Sequence, residues 1–367
     1  MEYNIGMSRQ KDAKICVDEA TAKFKNPKLI LFFSPVEQFE EYTQFIYQKF
    51  PNSISMGATT IAAFSKEGAD KQGLKVIGIE NGIRCSADVI EDIDEYPIKY
   101  TERVKKCVDD VGTAKNTICL EFTTALLCAE ESVLNTLNAV LEKDGITVFG
   151  GSAGDVGTAV GTKVALNGKI RPKSTVFAIL HNEGGAIKIF RENIYVPITG
   201  NVLTATKVES FQRTVYEYNR EPATRVFARE LGISESQVSQ HIDTNPIGRI
   251  IGDELYITAN CNETQNHGMA YHARIFDNSK VLVLHPGEYR SIIQETKERI
   301  KREIPKPSFS IMCHCLARTI LFTNEGYLDE YSKEMHSVLG DYVGFSGYGE
   351  QYGSQHFNQT MTVAVFE

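Results

Sequence analysis

The chain has 367 residues, 39 Lys+Arg against 47 Asp+Glu, a formal net charge of −8 and 42% hydrophobic residues. That length and apolar content fit a folded protein of about two domains and exclude disordered, collagen-like and low-complexity classes. A mildly acidic balance without any Lys/Arg-rich run argues against nucleic acid and anionic membrane surfaces as partners.

The N-terminal MEYNIGMSRQKDAK lacks the apolar segment of an export signal, and no stretch approaches the roughly 20 apolar residues that span a bilayer. Apolar periodicity predicts helices near residues 12–24, 37–50, 98–110, 130–143, 222–231, 289–303 and 327–339. Between them lie strand-like runs such as LILFFS, LKVIGIE, TICLEFTT, STVFAILH, ELYIT, KVLVLH, FSIMCHC and MTVAVFE. Asn167-Gly168 between apolar flanks predicts a hairpin, and residues 277–280 give a weaker turn signal. The strand pattern breaks at 196–200, and a helix follows with Pro222 at its start and Gly232 just past its end. Two domains are therefore expected, 1–205 and 206–367, with the final strand free to join either sheet. The eight cysteines are scattered through apolar runs, which reads as reduced thiols used as small core residues in a cytoplasmic protein.

Three segments share one grammar: strand, helix, strand, a Gly followed closely by Ser or Thr, a loop, and a returning strand. They start at LILFFS, TICLEFTT and FSIMCHC, and the intervals from Ile30 to Gly57, Ile118 to Gly150 and Ile311 to Gly344 are 27, 32 and 33 residues. A strand-helix-strand crossover makes its two strands parallel, while the strand returning after the Gly turn is antiparallel. The expected fold class is mixed α/β (α+β), with mixed parallel and antiparallel sheets covered on their outer faces by helices.

Each Gly-hydroxyl turn ends a buried strand, where backbone N–H groups and hydroxyls can face a crevice. These turns contain Gly57, Thr59 and Thr60; Gly150, Gly151, Ser152, Gly154 and Asp155; and Gly344, Ser346, Gly347, Gly349 and Glu350. None carries the spacing of a phosphate loop or a dinucleotide fingerprint, so ATP and NAD are not implied. Residues 150–154 match G-x-S-x-G, but loop and hairpin follow rather than a helix, which removes the geometry a hydrolase elbow needs and leaves a non-enzymatic role preferred. In Cys313-His314-Cys315 alternation turns both cysteines one way and His314 the other, which argues against a three-ligand metal site. Arg318, just after that strand, can fork onto a carboxylate. His356, Asn358 and Thr360 alternate before the last strand as a polar clamp.

ILFFSP with MGATT, VFGGSAGD with the LNG hairpin, PITGNVLTATKVE with NREPATRVFARELG, and GFSGYGEQYGSQHFNQTMTVAVF resemble the FIST domain in its N and C portions, over roughly residues 27–365. The resemblance implies a cytoplasmic sensory or signal-transduction module that binds a small ligand such as an amino acid. It further implies output in trans, through a histidine kinase, a chemotaxis receptor or a cyclic-di-GMP enzyme, since neither an output domain nor an F-box is recognisable. Some relatives are described as haem-binding nitric oxide sensors, which makes haem, with His356 as axial ligand, the alternative to a cofactor-free site. On the leading reading the Gly57, Gly151 and Gly344 N–H groups and the Thr59, Thr60, Ser152 and Ser346 hydroxyls hold a carboxylate with Arg318. Asp155 or Glu350 receives an ammonium group.

Overall fold

Leu29–Ser34, Thr117–Thr123 and Phe309–Cys315 are buried at every position, as strands covered on both faces must be. In the computed structural model, which describes residues 1–155 and 161–367, each is the centre of a six-stranded mixed sheet. Leu29–Ser34 runs parallel to Ile54–Thr59, Thr117–Thr123 to Thr147–Ser152, and Phe309–Cys315 to Asp341–Gly347. The helices Phe39–Lys49, Glu130–Leu141 and Leu328–Leu339 lie in the three crossovers. The returning strands Leu74–Asn81, Thr175–Asn182 and Thr360–Phe366 pair antiparallel with the first strand of their own repeat. The mixed α+β architecture expected from the sequence is present, helices and repeats included.

Edge strands extend the similarity. Glu2–Ser8, Ile83–Ile90 and Ile187–Asn193 flank the three returning strands. The first two were not legible as strands, because their interiors are half-buried and give little alternation. A further helix, Leu316–Asn324, starts directly after Cys315 and was also not anticipated. Its threonines suit it there: Thr319 Oγ1 donates to the Cys315 carbonyl at 3.1 Å and Thr323 Oγ1 to the Thr319 carbonyl at 2.7 Å, the i−4 bonding that lets Thr reside in a helix.

The hairpins that follow the Gly-hydroxyl turns do not stay with their own sheets. The first, Ala63–Ser65 with Gly68–Asp70, pairs with Asp341–Gly347 of the third sheet. The second, Val164–Leu166 with Lys169–Arg171, pairs with Ile54–Thr59 of the first. Gly349–Tyr352 of the third repeat pairs with Thr147–Ser152 of the second. The exchange is cyclic, so every sheet is completed by a neighbour. The Asn167-Gly168 turn has positive φ at both residues, 49° and 77°, as a two-residue hairpin turn of this composition requires.

All three repeats contribute to one core, with Leu31 and Phe33, Leu120 and Phe122, and Ile311 and Phe345 among its members. The Phe33, Phe122 and Phe345 rings meet at centroid distances of 5.0 to 5.4 Å.

By its internal contacts the chain forms two units, residues 1–191, 297–354 and 361–367 in the first and 192–296 with 355–360 in the second. The third sheet's parallel strand pair thus lies in the first unit. The second unit is an antiparallel sheet that includes Leu203–Glu209, Thr214–Tyr218, Ile247–Ile251 and Lys280–Pro286. Helix Ala223–Leu231 packs in its core and ends at Gly232 in the left-handed conformation.

Candidate functional site

The carboxyl ends of the three parallel strand pairs meet in the first unit. The Gly154 N–H donates to the Thr59 carbonyl at 2.8 Å, the Ser346 N–H to Thr60 Oγ1 at 2.8 Å, and the Tyr348 N–H to the Ser152 carbonyl at 3.2 Å. A side chain on Gly347 would collide with the Ser152 carbonyl, and one on Gly154 with the Ser346 carbonyl. The two glycines therefore allow the second and third corners to touch backbone to backbone. Thr59, Thr60, Ser152 and Ser346 are all buried there. Gly57, Gly151 and Gly344 lie in the second strand of each parallel pair, with a sheet neighbour on either side.

Register makes the corners comparable: Ser34 pairs with Thr59, Thr123 with Ser152, and His314 with Ser346. The position opposite the first glycine is Phe32 in the first repeat, Glu121 in the second and Met312 in the third. Ile118, Leu120 and Phe122 face the shared core, while Cys119 packs under helix Glu130–Leu141, so Glu121 and Thr123 face that helix too.

The second corner is built from acids and amides. Thr123 Oγ1 donates to Glu121 Oε2 at 2.6 Å and meets Thr175 Oγ1 at 2.7 Å. Ser152 Oγ donates to Glu130 Oε1 at 3.2 Å and accepts from Gln351 Nε2 at 3.1 Å. Glu121 is fully buried, and its Oε1 has no hydrogen-bond partner among the described residues. Burial pushes its carboxyl up to about 8; the Thr123 hydroxyl opposes the shift and the Glu130 charge adds to it. Glu121 is thus protonated at neutral pH.

The third corner carries bases. His314 Nδ1 lies 2.9 Å from Thr319 Oγ1, which lies 2.7 Å from Ser346 Oγ. Burial, then the charge of Arg318, hold His314 well below its usual range and therefore neutral. Arg318 is fully buried in the first turn of helix Leu316–Asn324, its guanidinium 5.0 Å from the Phe322 ring centre and 5.3 Å from that of Tyr331.

Of the other residues singled out in the sequence, Asp155 accepts from the Tyr348 hydroxyl at 2.8 Å, and Glu350 is buried opposite Gly151. His356 and Asn358 belong to the second unit. There Asn358 Oδ1 accepts from the Ala259 N–H at 3.1 Å, and His356 Nε2 lies 3.1 Å from the His272 carbonyl. A nitrogen donating to a carbonyl offers no lone pair to iron, which leaves Nδ1 as the one ring nitrogen of His356 with a lone pair to offer. No group of three or more His, Cys, Asp or Glu among the described residues is placed to hold a metal ion. Glu121, Glu130, Gln351, His314 and Thr319 join the site without having been singled out as ligand contacts. The available signal was a glutamate inside the apolar strand TICLEFTT.

The FIST N domain family model matches residues 28–221, and that of the FIST C domain matches residues 223–353. The chain belongs to the FIST family. FIST domains are described as small-ligand sensory domains of signal transduction and are not typically enzymes. No curated protein matches this FIST chain. Among its described residues no helix is long and apolar enough to cross a membrane.

Proposed function

We propose that this FIST protein senses a small zwitterionic metabolite of the amino-acid type, bound in the first unit where the second and third corners meet. The observation that carries the reading is Glu121, a fully buried carboxyl with one unpartnered oxygen at the carboxyl end of a parallel strand pair. Such groups cost stability and are retained where they act on something. An incoming ammonium group favours the ionised carboxylate, so Glu121 releases its proton as the ligand binds. Glu130, Glu350 and Asp155 add negative charge around the same corner. Arg318 answers the ligand carboxylate, and the Ser152, Ser346 and Thr59 hydroxyls fix its orientation, while the Thr60 hydroxyl is taken up within the fold by Ala62 and Ser346.

A ligand shifts a protein only by binding one of its states more tightly than another. The hairpins crossing from repeat to repeat give a corner that tightens on a ligand a route to the neighbouring sheets. Output passes in the cytoplasm to a separate signalling protein, such as a histidine kinase, a chemotaxis receptor or a cyclic-di-GMP enzyme.

Isothermal titration with a panel of amino acids tests the reading. Affinity for the ligand is expected to rise between pH 6 and pH 8, by up to about tenfold per pH unit, with proton release visible as a buffer-dependent heat. Glu121→Gln should abolish both effects. A panel that produces neither heat nor a thermal shift would overturn the proposal.

A further inference from the structure

Away from the corners, the first unit has two adjoining pockets of about 250 Å3 each that share Ile5, Lys23 and Glu67. One of them is also lined by Glu19, Ser65 and Lys75. Lys75 lies on Leu74–Asn81 and is only 2% exposed. Its Nζ donates to Ser65 Oγ at 2.7 Å and to the Gly68 carbonyl at 3.0 Å. Ser65 in turn donates to Glu67 Oε2 at 2.6 Å. Ammonium, hydroxyl and carboxylate thus form a proton relay at the wall of a pocket. Gly68, at φ +123° in the hairpin turn, presents the carbonyl that anchors the amine.

We propose that Lys75 is a carbonyl-trapping amine: this pocket takes a small aldehyde or ketone, and Lys75 Nζ joins it as an imine. The ammonium first passes a proton through Ser65 to Glu67. The freed nitrogen pair attacks the carbonyl carbon, and the C=O π pair takes up the proton that the attacking nitrogen then loses, giving a carbinolamine. The hydroxyl then leaves as water with the proton returned from Glu67, and the nitrogen pair forms C=N. No oxidant or reductant is involved.

Burial lowers the Lys75 amine to about 8 from an ordinary 10.5. At neutral pH its uncharged fraction is therefore well above that of a solvated lysine. The groups that act on it are Asp70, Glu67 and Asp329, which favour its charged form, and Arg9, which disfavours it; Glu19 and Lys23 line the same pocket. This mostly acidic surrounding also selects the reaction. A carbamate from carbon dioxide would reverse the charge of Lys75 among these carboxylates, whereas an iminium keeps it positive. At roughly 30 Å3 for a water-sized group, the pocket admits about eight non-hydrogen atoms.

Propionaldehyde with sodium cyanoborohydride is the probe, read by peptide mass spectrometry of the intact wild-type chain after labelling at pH 7. Lys75 is expected to gain its propyl group at least about tenfold faster than the median exposed lysine, at a rate that levels off above about pH 8. Ser65→Ala should slow that labelling several-fold while the exposed lysines react as before. Labelling spread over the exposed lysines with Lys75 unmodified would overturn the proposal, and an unchanged rate in Ser65→Ala would overturn the relay. The wild-type map needs no folded variant. It is also independent of the ligand assigned to the corners.

Discussion

The first and second corners have the same backbone and opposite contents. Phe32 covers Gly57 and stacks on Phe39, the first residue of its crossover helix, at 5.4 Å. At the matching positions of the second repeat stand Glu121, over Gly150, and Glu130, the first residue of the next crossover helix. Hydrocarbon closes one corner and stabilises it by burial. Carboxyls fill the other at a cost in desolvation. Since both backbones form, the acids are not needed for the fold, and their presence marks the corner where binding is to be sought.

The comparison can be broken most severely by removing the exchanged strands. A fragment of residues 1–205 lacks Gly349–Tyr352, which pairs with Thr147–Ser152, and Asp341–Gly347, which receives the first hairpin. It is expected to show no cooperative unfolding transition and little near-ultraviolet circular dichroism; a sharp transition would mean that the cyclic exchange is dispensable. Phe32→Ala tests the closed corner more mildly. It should cost about 3 to 5 kcal/mol in chemical denaturation, as emptied aromatic sites do, and a loss below about 1 kcal/mol would mean that hydrocarbon does not hold the first corner closed.

Glu121→Gln sharpens the comparison through pH, with the smallest effect of the three. The folded-state carboxyl titrates near 8 and the unfolded one near 4.5. Between these values the native state binds more protons, so its stability falls as pH rises. The wild-type melting temperature should therefore decline from about pH 5 to pH 8. In the glutamine variant that slope should flatten, leaving it roughly 1 to 2 °C more stable at pH 8 for each kcal/mol recovered. Parallel curves for the two proteins would show that Glu121 is already ionised in the fold.

Repeat grammar was legible because it is local: a crossover and a Gly-hydroxyl turn are written within about thirty residues. Hairpin exchange was not, since Phe64 pairs with Gly344 and nothing near either residue names its partner. Arg318 stood out as a cation at a strand end, but its helix did not, because Thr319 and Thr323 suppress the helical signal until their hydroxyls find backbone carbonyls. Glu121 is hidden in the sequence for a related reason. Its neighbours Leu120 and Phe122 define a buried strand whichever residue lies between them, so the strand can be read without asking why a carboxyl is inside it.

The first hairpin also sets a schedule for biosynthesis. Its partner strand leaves the ribosome some 280 residues later, a delay of roughly 15 to 55 s at ordinary elongation rates. Throughout that time the nascent chain carries an unsatisfied β edge, the kind of surface that recruits chaperones or other chains. Translation speed over the stretch between Phe64 and Gly344 should therefore govern how much protein reaches the native state.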